Sequence, residues 1–343
     1  MTTPAPRTSV WLLGVDGGGT STEAWLAEPE VRILGRGSAG PSNAKAVGLE
    51  AARRALDAAI LAAFDAAGLV PAPVNVACLG LAGFDRPEDR QVLADWDEEA
   101  RWADRLVLVN DGDLVVAAGT PAGWGVGVIA GTGSIAVGRT PEGRTARAGG
   151  WGHLIGDEGS AYALVLDALR LVARRADGRE PRPAGPDSLT DRLCSALGVL
   201  QTSQIVTALY APGFDRARIA AMAPEVLAAC ALAPEDAARL LAPAGAAVAA
   251  MVAAVAQALG WSSGDLPLGA AGGFLLSATA VRQAMIDDLV RRGYQPAVTP
   301  VPDPARGAVI LAERALAGAG SATTPGACRL GDLGPSGKAG GPV

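Results

Sequence analysis

The sequence predicts an α/β protein in which two similar lobes face a common cleft. Two apolar segments flank the glycine-rich stretch 14–20 and predict a β-hairpin with a tight turn. The order of hairpin, glycine turn, third strand and loop begins again roughly 115 residues later, which indicates a weak internal duplication. The first repeat follows the order β-β-β-α-β-α-β. This order predicts mixed sheets, not the regular alternation of a doubly wound dinucleotide fold.

The first lobe is predicted to span residues 8–118. Short apolar runs that end at turn residues predict its strands, and apolar side chains at helical spacing (Leu56, Ile60) predict a helix. Asp85 and Pro87 predict the start of a second helix. In chain order the predicted elements are strands at 10–13, 24–27 and 31–37, a helix at 47–68, a strand at 74–81, a helix after 85 and a buried strand at 106–109.

The second lobe is predicted to span residues 119–316. Its first two strands enclose a glycine turn at 130–134, and a long helix is predicted at 157–176 with acidic and hydroxyl side chains in its first turn. A Pro- and Gly-rich loop follows at 177–190. The other predicted elements are strands at 125–129, 135–139 and 144–148, helices across 190–260, a strand at 266–271, and helices at 277–292 and 305–316. Residues 317–343 are rich in Gly, Ser, Thr and Pro and predict a disordered tail.

Composition argues against several classes of function. The net charge of −6 offers no basic stripe for nucleic acid. Four cysteines lie far apart and His153 is the single histidine, so the sequence indicates neither a zinc site nor a disulfide framework. The longest apolar window, 244–259, is alanine-rich and shorter than a membrane span of about 20 residues. We therefore expect a soluble, cytoplasmic protein with small-molecule partners and no membrane or nucleic-acid partner.

The first glycine turn predicts a phosphate site. Gly17, Gly18 and Gly19 let the backbone approach a ligand closely, and successive amides in such a turn form a concavity that suits an anion. The Thr20 hydroxyl can donate to phosphate oxygens. The Asp16 carboxylate enters the same turn and suits hydrated Mg²⁺ beside a phosphate. The alternative is a plain glycine hairpin with one acidic residue.

Two later features strengthen the phosphate interpretation. The run Gly131-Thr132-Gly133-Ser134 predicts a second backbone cradle, with an ordinary tight hairpin as the alternative. Asp111 lies where a buried strand ends and a helix begins, at the edge of the cleft. There it can take a proton from a sugar hydroxyl that attacks the terminal phosphate of ATP. The same spacing fits a helix N-cap equally well.

Weaker signals follow along the chain. Gly272-Gly273 after a strand lets an adenine ring lie against bare backbone, or simply packs a helix on a strand. Trp151, in a Gly-Gly-Trp-Gly loop, is either a stacking surface for a sugar ring or a core tryptophan. Asp157 is either a ligand or an N-cap, and His153 is interpreted as structural.

Taken together, these elements resemble the actin/hexokinase-like fold, with ribonuclease H-like domains. This resemblance implies two lobes that each carry a mixed five-stranded sheet flanked by helices around a central cleft. More closely, the chain is similar to N-acetylglucosamine kinases of the BadF/BadG/BcrA/BcrD ATPase family. The most specific stretch is 149–162, GGWGHLIGDEGSAY, which is close to a signature of aminosugar kinases. The phosphate motifs at 14–20 and 130–134 and the run 205–215 also match, and the likeness covers about residues 8–316.

The resemblance implies an ATP-dependent kinase that phosphorylates the 6-hydroxyl of N-acetylglucosamine or a close hexosamine. Asp111 would be the general base, and Asp16 would hold Mg²⁺ through water. The residues implied to bind ATP are Gly17, Gly18, Gly19, Thr20, Thr132, Gly133, Gly272, Gly273 and Ser277. The residues implied to bind the sugar are Asn43, Asp111, Ser134, Gly150, Trp151, Gly152 and Asp157. The resemblance also allows a homodimer.

One residue departs from the family pattern, and it keeps other functions open. Animal N-acetylglucosamine kinases have an Asn after the Gly-Thr-Gly-Ser run, whereas this chain has Ile135. A missing amide changes polar recognition, so glucosamine and N-acetylmuramic acid are alternative substrates. An ATPase that activates an acyl-CoA reductase needs cluster-binding cysteines, which do not flank the phosphate hairpins here. A sugar sensor that binds without turnover is the third class, but no helix-turn-helix precedes Val10.

Overall fold

Two mixed five-stranded sheets organise the protein. The computed structural model describes residues 9–82, 93, 95–97 and 99–318. The strands are β1 Leu12–Gly17, β2 Thr22–Glu28, β3 Arg32–Ala39, β4 Val76–Leu81, β5 Leu106–Val109, β6 Gly125–Ala130, β7 Ser134–Arg139, β8 Thr145–Gly149, β9 Gly264–Ala271 and β10 Tyr294–Pro300. The first sheet has the order β3-β2-β1-β4-β5 and the second has the order β10-β9-β6-β7-β8.

The two sheets share one topology, which confirms the predicted fold class and the internal duplication. In each sheet an antiparallel meander of three strands is extended by two parallel strands, β4 and β5 in the first sheet and β9 and β10 in the second. The central strands β1 and β4 are buried along almost their whole length, as expected for strands covered on both faces.

Helices cover these sheets and form the cores. Those with defined bounds are α1 Ala44–Val47, α2 Leu49–Ala66, α3 Asp111–Gly119, α4 Ala161–Ala176, α5 Ser188–Leu197, α6 Ile205–Leu209, α7 Arg216–Ala220, α8 Ala223–Leu232, α9 Pro234–Ala258, α10 Gly273–Ser277, α11 Thr279–Arg291 and α12 Ala305–Gly318. Helix α2 packs on one face of the first sheet. The larger core lies between the second sheet and the helices α4, α9 and α11.

The chain returns to the first sheet at its end. Helix α12 packs across β1 and β4, on the face opposite α2, and it also contacts α3. Helix α3 in turn packs against β6, β7 and β9 of the second sheet. These two helices therefore lie between the sheets, whereas the boundary near residue 118 stays a prediction.

Helix α9 is the one helix, among the described residues, with the length and mean hydropathy of a membrane span. It is longer than the apolar window that the sequence indicated. More than half of its most apolar stretch is buried inside the protein, where it packs on the second sheet and on α11.

Several predicted elements differ from the structure. The strand β10 was missed because Pro296 and Pro300 break the usual strand pattern, but a parallel strand at the edge of a sheet tolerates proline. The helix predicted at 157–176 begins only at Ala161, and the one predicted at 277–292 is two helices, α10 and α11. The strand β5 is half-buried, not buried. The helix predicted after 85 begins outside the described residues, as does the tail beyond Gly318.

We expect the crossing of α12 over α3 to depend on Gly307. A Cβ added at this position would overlap the carbonyl oxygen of Leu114, so Gly307→Ala forces two packed helices apart. Overpacking of this kind costs about 1–3 kcal/mol, and urea unfolding should show a lower free energy of unfolding. Gly318→Ala, in the same helix but with nothing within 4 Å of an added Cβ, is the matched control. An unchanged urea midpoint for the Gly307 variant would contradict the close crossing.

Candidate active site

The first glycine turn lies at the carboxyl end of β1 and is anchored at its base. The carbonyl of Gly17 accepts from the N–H of Ala82 at the end of β4 (2.8 Å). The carbonyl of Gly18 accepts from the N–H groups of Ser42 (3.1 Å) and Asn43 (3.2 Å). The tip residues 19–20 are exposed. The turn thus presents its backbone and the predicted Thr20 hydroxyl to solvent on a rigid base.

Two carboxylates meet beside this turn. The strands β1, β4 and β5 are parallel, so their carboxyl ends share one edge of the sheet, where open α/β sheets bind ligands. Burial raises the pKa of Asp16 to about 7, and the negative charges of Asp111 and then Glu23 add to this rise. Asp16 and Asp111 are therefore close enough to repel each other.

The donor set at this edge fits Mg²⁺. Magnesium commonly binds one or two carboxylates and completes its octahedron with water and phosphate oxygens. No group of three or more His, Cys, Asp or Glu side chains suited to a metal is found among the described residues. A cation at Asp16 would relieve the repulsion from Asp111, with water and nucleotide oxygens as its remaining ligands.

Asp111 is the first residue of α3 but does not cap it. The side chain of Asn110 caps the helix by accepting from the N–H of Gly112 (3.0 Å), and Asp113 completes a capping box by accepting from the N–H of Asn110 (3.3 Å). The N-cap alternative for Asp111 is therefore wrong. Its own carboxylate accepts from the N–H of Gly112 (2.9 Å), is half-buried, and lies at the helix end whose dipole favours negative charge.

The second glycine turn is tied to α4 and to β9. The N–H of Gly131 donates to the carbonyl of Gly133 (2.9 Å), and the carbonyl of Gly131 accepts from the N–H of Ala161 (2.9 Å). Gly272 lies alongside with φ of 93°, and a Cβ there would overlap the carbonyl oxygen of Ala130. The predicted adenosine glycine and the predicted phosphate turn are therefore neighbours.

The other predicted ATP residues surround these two glycines. Thr132 is half-buried in the turn. Gly273 is exposed, and a Cβ added there would meet nothing within 4 Å, so its backbone is open to a ligand. The hydroxyl of Ser277 donates to the carbonyl of Gly273 (2.7 Å), which orders the short helix α10.

Asp157 is buried beneath the second turn. It is 3 % exposed and has φ of 63°, an uncommon conformation for a residue other than glycine. Its Oδ1 accepts from the N–H of Ser134 (3.2 Å), and its Oδ2 forms an ion pair with Arg216 Nη2 (2.8 Å). The N-cap of α4 is Ser160, so the N-cap alternative for Asp157 is wrong.

Arg216 was not predicted as a site residue, although it is part of this cluster. A Cβ added at Gly133 would overlap Arg216 Nη2 and lie 2.7 Å from Asp157 Oδ1, so the guanidinium covers the turn directly. The residue follows the run 205–215 that matched the family pattern. The matched run ends at Asp215, so the family pattern did not include Arg216.

The loop 149–152 joins the same turn. The N–H of Gly150 donates to the carbonyl of Ser134 (3.0 Å), and the Ser134 hydroxyl donates to the carbonyl of Glu158 (2.7 Å). Gly150 and Gly152 have φ of 70° and 82°. Trp151 is 70 % exposed, so it is not a core tryptophan.

Three further residues complete the account of the predicted site. The side chain of Asn43 accepts from the N–H of Lys45 (3.1 Å) and so caps α1. The ring of His153 packs edge-on against Tyr162, with 5.5 Å between centroids, which supports its structural interpretation. The side chain of Ile135 lies against Gly150.

The predicted residues thus form two groups, one on each sheet, that α3 brings together. Asp16, Asp111, Asn43 and the first turn belong to the first sheet, while the other predicted residues gather around the second turn. A Cβ added at Gly112, next to Asp111, would overlap a methyl of Val137 on β7. Asp111 therefore lies where the edge of the first sheet faces the second.

Two mixed five-stranded sheets of one topology define a two-lobed α/β protein with the actin/hexokinase-like fold. The chain belongs to the BadF/BadG/BcrA/BcrD ATPase family, whose sequence profile matches residues 13–312. This finding confirms the predicted resemblance.

Named relatives fall on the sugar-kinase side of the family. The chain is 31 % identical over 212 residues to an N-acetylmuramic acid/N-acetylglucosamine kinase of Clostridium acetobutylicum, covering 62 % of this chain and 68 % of that enzyme. It is 31 % identical over 209 residues to an N-acetyl-D-glucosamine kinase of Dictyostelium discoideum, covering 58 % and 64 %. A crystal structure from Chromobacterium violaceum, provisionally designated an N-acetylglucosamine kinase, is 30 % identical with a TM-score of 0.71, covering 89 % and 99 %.

We expect Asp16 to destabilise the ligand-free protein at alkaline pH. Its folded pKa of about 7 lies above the ordinary value of about 3.9. Its contribution to stability is therefore fully present below about pH 4 and lost as the pH rises through about 7. Without Mg²⁺, Asp16→Asn should raise the thermal midpoint by about 2–5 °C at pH 8, and this gain should shrink toward pH 5.

Magnesium supplies the control for this pH series. At pH 8, Mg-ADP should raise the thermal midpoint of the wild type much more than that of Asp16→Asn. ADP with EDTA should raise the midpoints of the two proteins equally. If Asp16→Asn is no more stable than the wild type at any pH, then ionisation of Asp16 does not destabilise the folded protein.

The Arg216–Asp157 ion pair should hold the second turn in its phosphate-binding shape. Arg216→Ala leaves the buried carboxylate without its cation, so we expect lower stability and an ATP KM raised about 5- to 20-fold. Arg216→Lys should recover part of both losses. Because the two residues act as a pair, Asp157→Asn combined with Arg216→Ala should cost less than the sum of the single changes.

The matched control for this series is Arg218→Ala on the same helix. Its guanidinium lies 4.8 Å from the ring centroid of Phe214, and its Nη1 donates to the carbonyl of Gly213 (3.4 Å). Steady-state kinetics and thermal melts of the five variants, with Asp157→Asn alone included, test the pair. Equal effects of the Arg216 and Arg218 changes on ATP KM would refute the role of the pair.

Proposed function

We propose that this protein transfers the γ-phosphoryl group of ATP to the 6-hydroxyl of N-acetylglucosamine or a close hexosamine, with Asp111 as the general base. The relatives named above show the broader class, an ATP-dependent sugar kinase. The proposal adds the acceptor hydroxyl, the base and the ion. A cytoplasmic location, where ATP is supplied, stays a prediction.

The observation that carries the proposal is the position of Asp111. It is half-buried, electrostatically coupled to Asp16, and adjacent to the residue that packs on the second sheet. A base for phosphoryl transfer must lie within hydrogen-bond reach of the acceptor hydroxyl while the phosphate is held nearby. In this proposal the two glycine turns bind the phosphates and the loop 149–152 provides a surface for a sugar ring.

The proposed reaction needs few groups. The Asp111 carboxylate takes the proton of the 6-hydroxyl as that oxygen forms a bond to the γ-phosphorus, and the bond from this phosphorus to the β,γ-bridging oxygen breaks to release ADP. The backbone amides of both turns hold the phosphates in line for this transfer. Arg216 adds positive charge next to the second turn. Mg²⁺ held at Asp16 would neutralise phosphate charge when bound.

The sugar is the open part of the proposal. N-acetylglucosamine is named for all three relatives above and N-acetylmuramic acid for one of them. Ile135 beside Gly150 supplies an apolar contact in place of an amide, which keeps glucosamine and N-acetylmuramic acid as alternatives. The reductase-activator alternative finds little support, because Cys78, Cys194 and Cys230 are buried in separate elements.

A coupled ADP-release assay over a panel of sugars tests the proposal. The panel is glucose, glucosamine, N-acetylglucosamine, N-acetylmannosamine and N-acetylmuramic acid, and we expect at least one N-acetylhexosamine to give the highest kcat/KM. Product analysis should place the phosphate on O6. No turnover with any hexosamine, together with tight sugar binding, would favour a sensor.

For the best substrate, Asp111→Asn should lower kcat by at least ~10²-fold and leave the affinity for ATP nearly unchanged. The amide keeps the size of the side chain but cannot accept the proton. Asp113→Asn, two residues along α3 and part of the capping box, is the control for damage to the helix itself. Normal turnover in the Asp111 variant would remove this residue from its role.

A further inference from the structure

The face of the second sheet that packs against α3, next to Asp111, carries an arginine which no part of the proposed phosphate chemistry uses. Side chains alternate along a strand, and cross-strand partners point to the same side. Val137 faces Gly112 at the start of α3, and its partner across β7 and β8 is Arg147. Arg147 therefore projects toward the same cleft as Asp111.

Arg147 lies directly against the predicted sugar loop. Its Nη2 donates to the carbonyl of Gly150 (3.3 Å), and a Cβ added at Gly150 would lie 3.3 Å from the same nitrogen. The other neighbour of Gly150 is Ile135, whose Cδ1 would lie 2.8 Å from that Cβ. One side of the loop thus combines an exposed guanidinium with an apolar side chain.

The order of side chains on this face suits a substituent on the far part of a sugar ring. If O6 lies at Asp111, the substituents on ring carbons 2 and 3 point away from the base. Val137 contacts Gly112, the neighbour of Asp111, and Arg147 lies one strand further from α3, about 4.8 Å beyond Val137. A group attached there would meet Ile135 and Arg147, not Asp111.

We propose that Arg147 is a specificity-determining residue that makes this site accept an aminosugar bearing a carboxylate on its ring. The inference rests on the proposed function and names its substrate class. A guanidinium presents two parallel N–H donors to a carboxylate, a match that a neutral hexosamine cannot use. A 3-O-lactyl ether has the required chemistry, since its methyl suits Ile135 and its carboxylate suits Arg147.

The test compares three sugars with two variants. The sugars are N-acetylglucosamine, N-acetylmuramic acid and the methyl ester of N-acetylmuramic acid, which keeps the bulk of the lactyl group but not its charge. The variants are Arg147→Gln and Arg147→Lys, and Arg170→Gln, an exposed arginine on α4 paired with Asp167, controls for the loss of one surface charge.

We expect Arg147→Gln to lower kcat/KM for N-acetylmuramic acid about 10- to 30-fold, with N-acetylglucosamine and the methyl ester within about 2-fold of the wild type. Arg147→Lys should fall between, because the ammonium keeps the charge but loses the fork. The wild-type preference for the acid over its ester should also weaken as salt is raised, since the pair is exposed.

The remaining outcomes separate this inference from the proposed function. Equal losses on all three sugars would make Arg147 a structural residue and overturn the inference. Turnover of N-acetylglucosamine without turnover of N-acetylmuramic acid would also overturn it while leaving the kinase proposal intact. No phosphorylation of any hexosamine would defeat both.

Discussion

The arrangement of the site depends on the parallel register of β1, β4 and β5. That register brings the end of β1 and the start of α3 to one edge, so that Asp16 and Asp111 face each other. Two carboxylates held together in a partly buried place repel, which raises the pKa of Asp16. Neither strand order nor helix packing requires acids at these positions, so the cost is local to the site. A cation is the ligand that would offset it.

The second turn differs from the first, because the buried carboxylate beneath it already has protein partners. Asp157 is buried more deeply than Asp16, yet Arg216 lies beside it and the N–H of Ser134 donates to it. The strained backbone of Asp157 persists because these contacts and the start of α4 over-determine its place. Protein groups thus compensate the buried charge at the second turn, whereas the repulsion between Asp16 and Asp111 at the first turn is one that a bound cation would relieve.

The sequence predicted more of the fold than of the contacts. Glycine turns between apolar strands and the repeated order of elements identify both hairpins, and the signature at 149–162 identifies the family. The sequence pattern could not predict β10, because Pro296 and Pro300 are typical of strand breaks. Proline is tolerated there because β10 lies at the edge of the second sheet. Nor could the sequence pattern decide whether Asp111 and Asp157 are helix N-caps. Asn110 and Ser160 compete for the same role within one to three residues, and only backbone geometry separates them. The contact between Arg216 and Asp157 spans 59 positions and is set by tertiary packing.

The two sheets have the same topology, but the side chains at equivalent positions beside the two glycine turns differ in charge. By its place in the sheet, the second-lobe counterpart of Asp16 is Ile129, and the counterpart of Glu23 is Ile135. The second copy therefore lacks the acidic pair and carries apolar side chains with Arg147 and Arg216 nearby. The two glycine turns therefore repeat one backbone arrangement with different electrostatics: burial and acidic side chains raise the pKa of Asp16 at the first turn, whereas the buried Asp157 at the second turn is paired with Arg216.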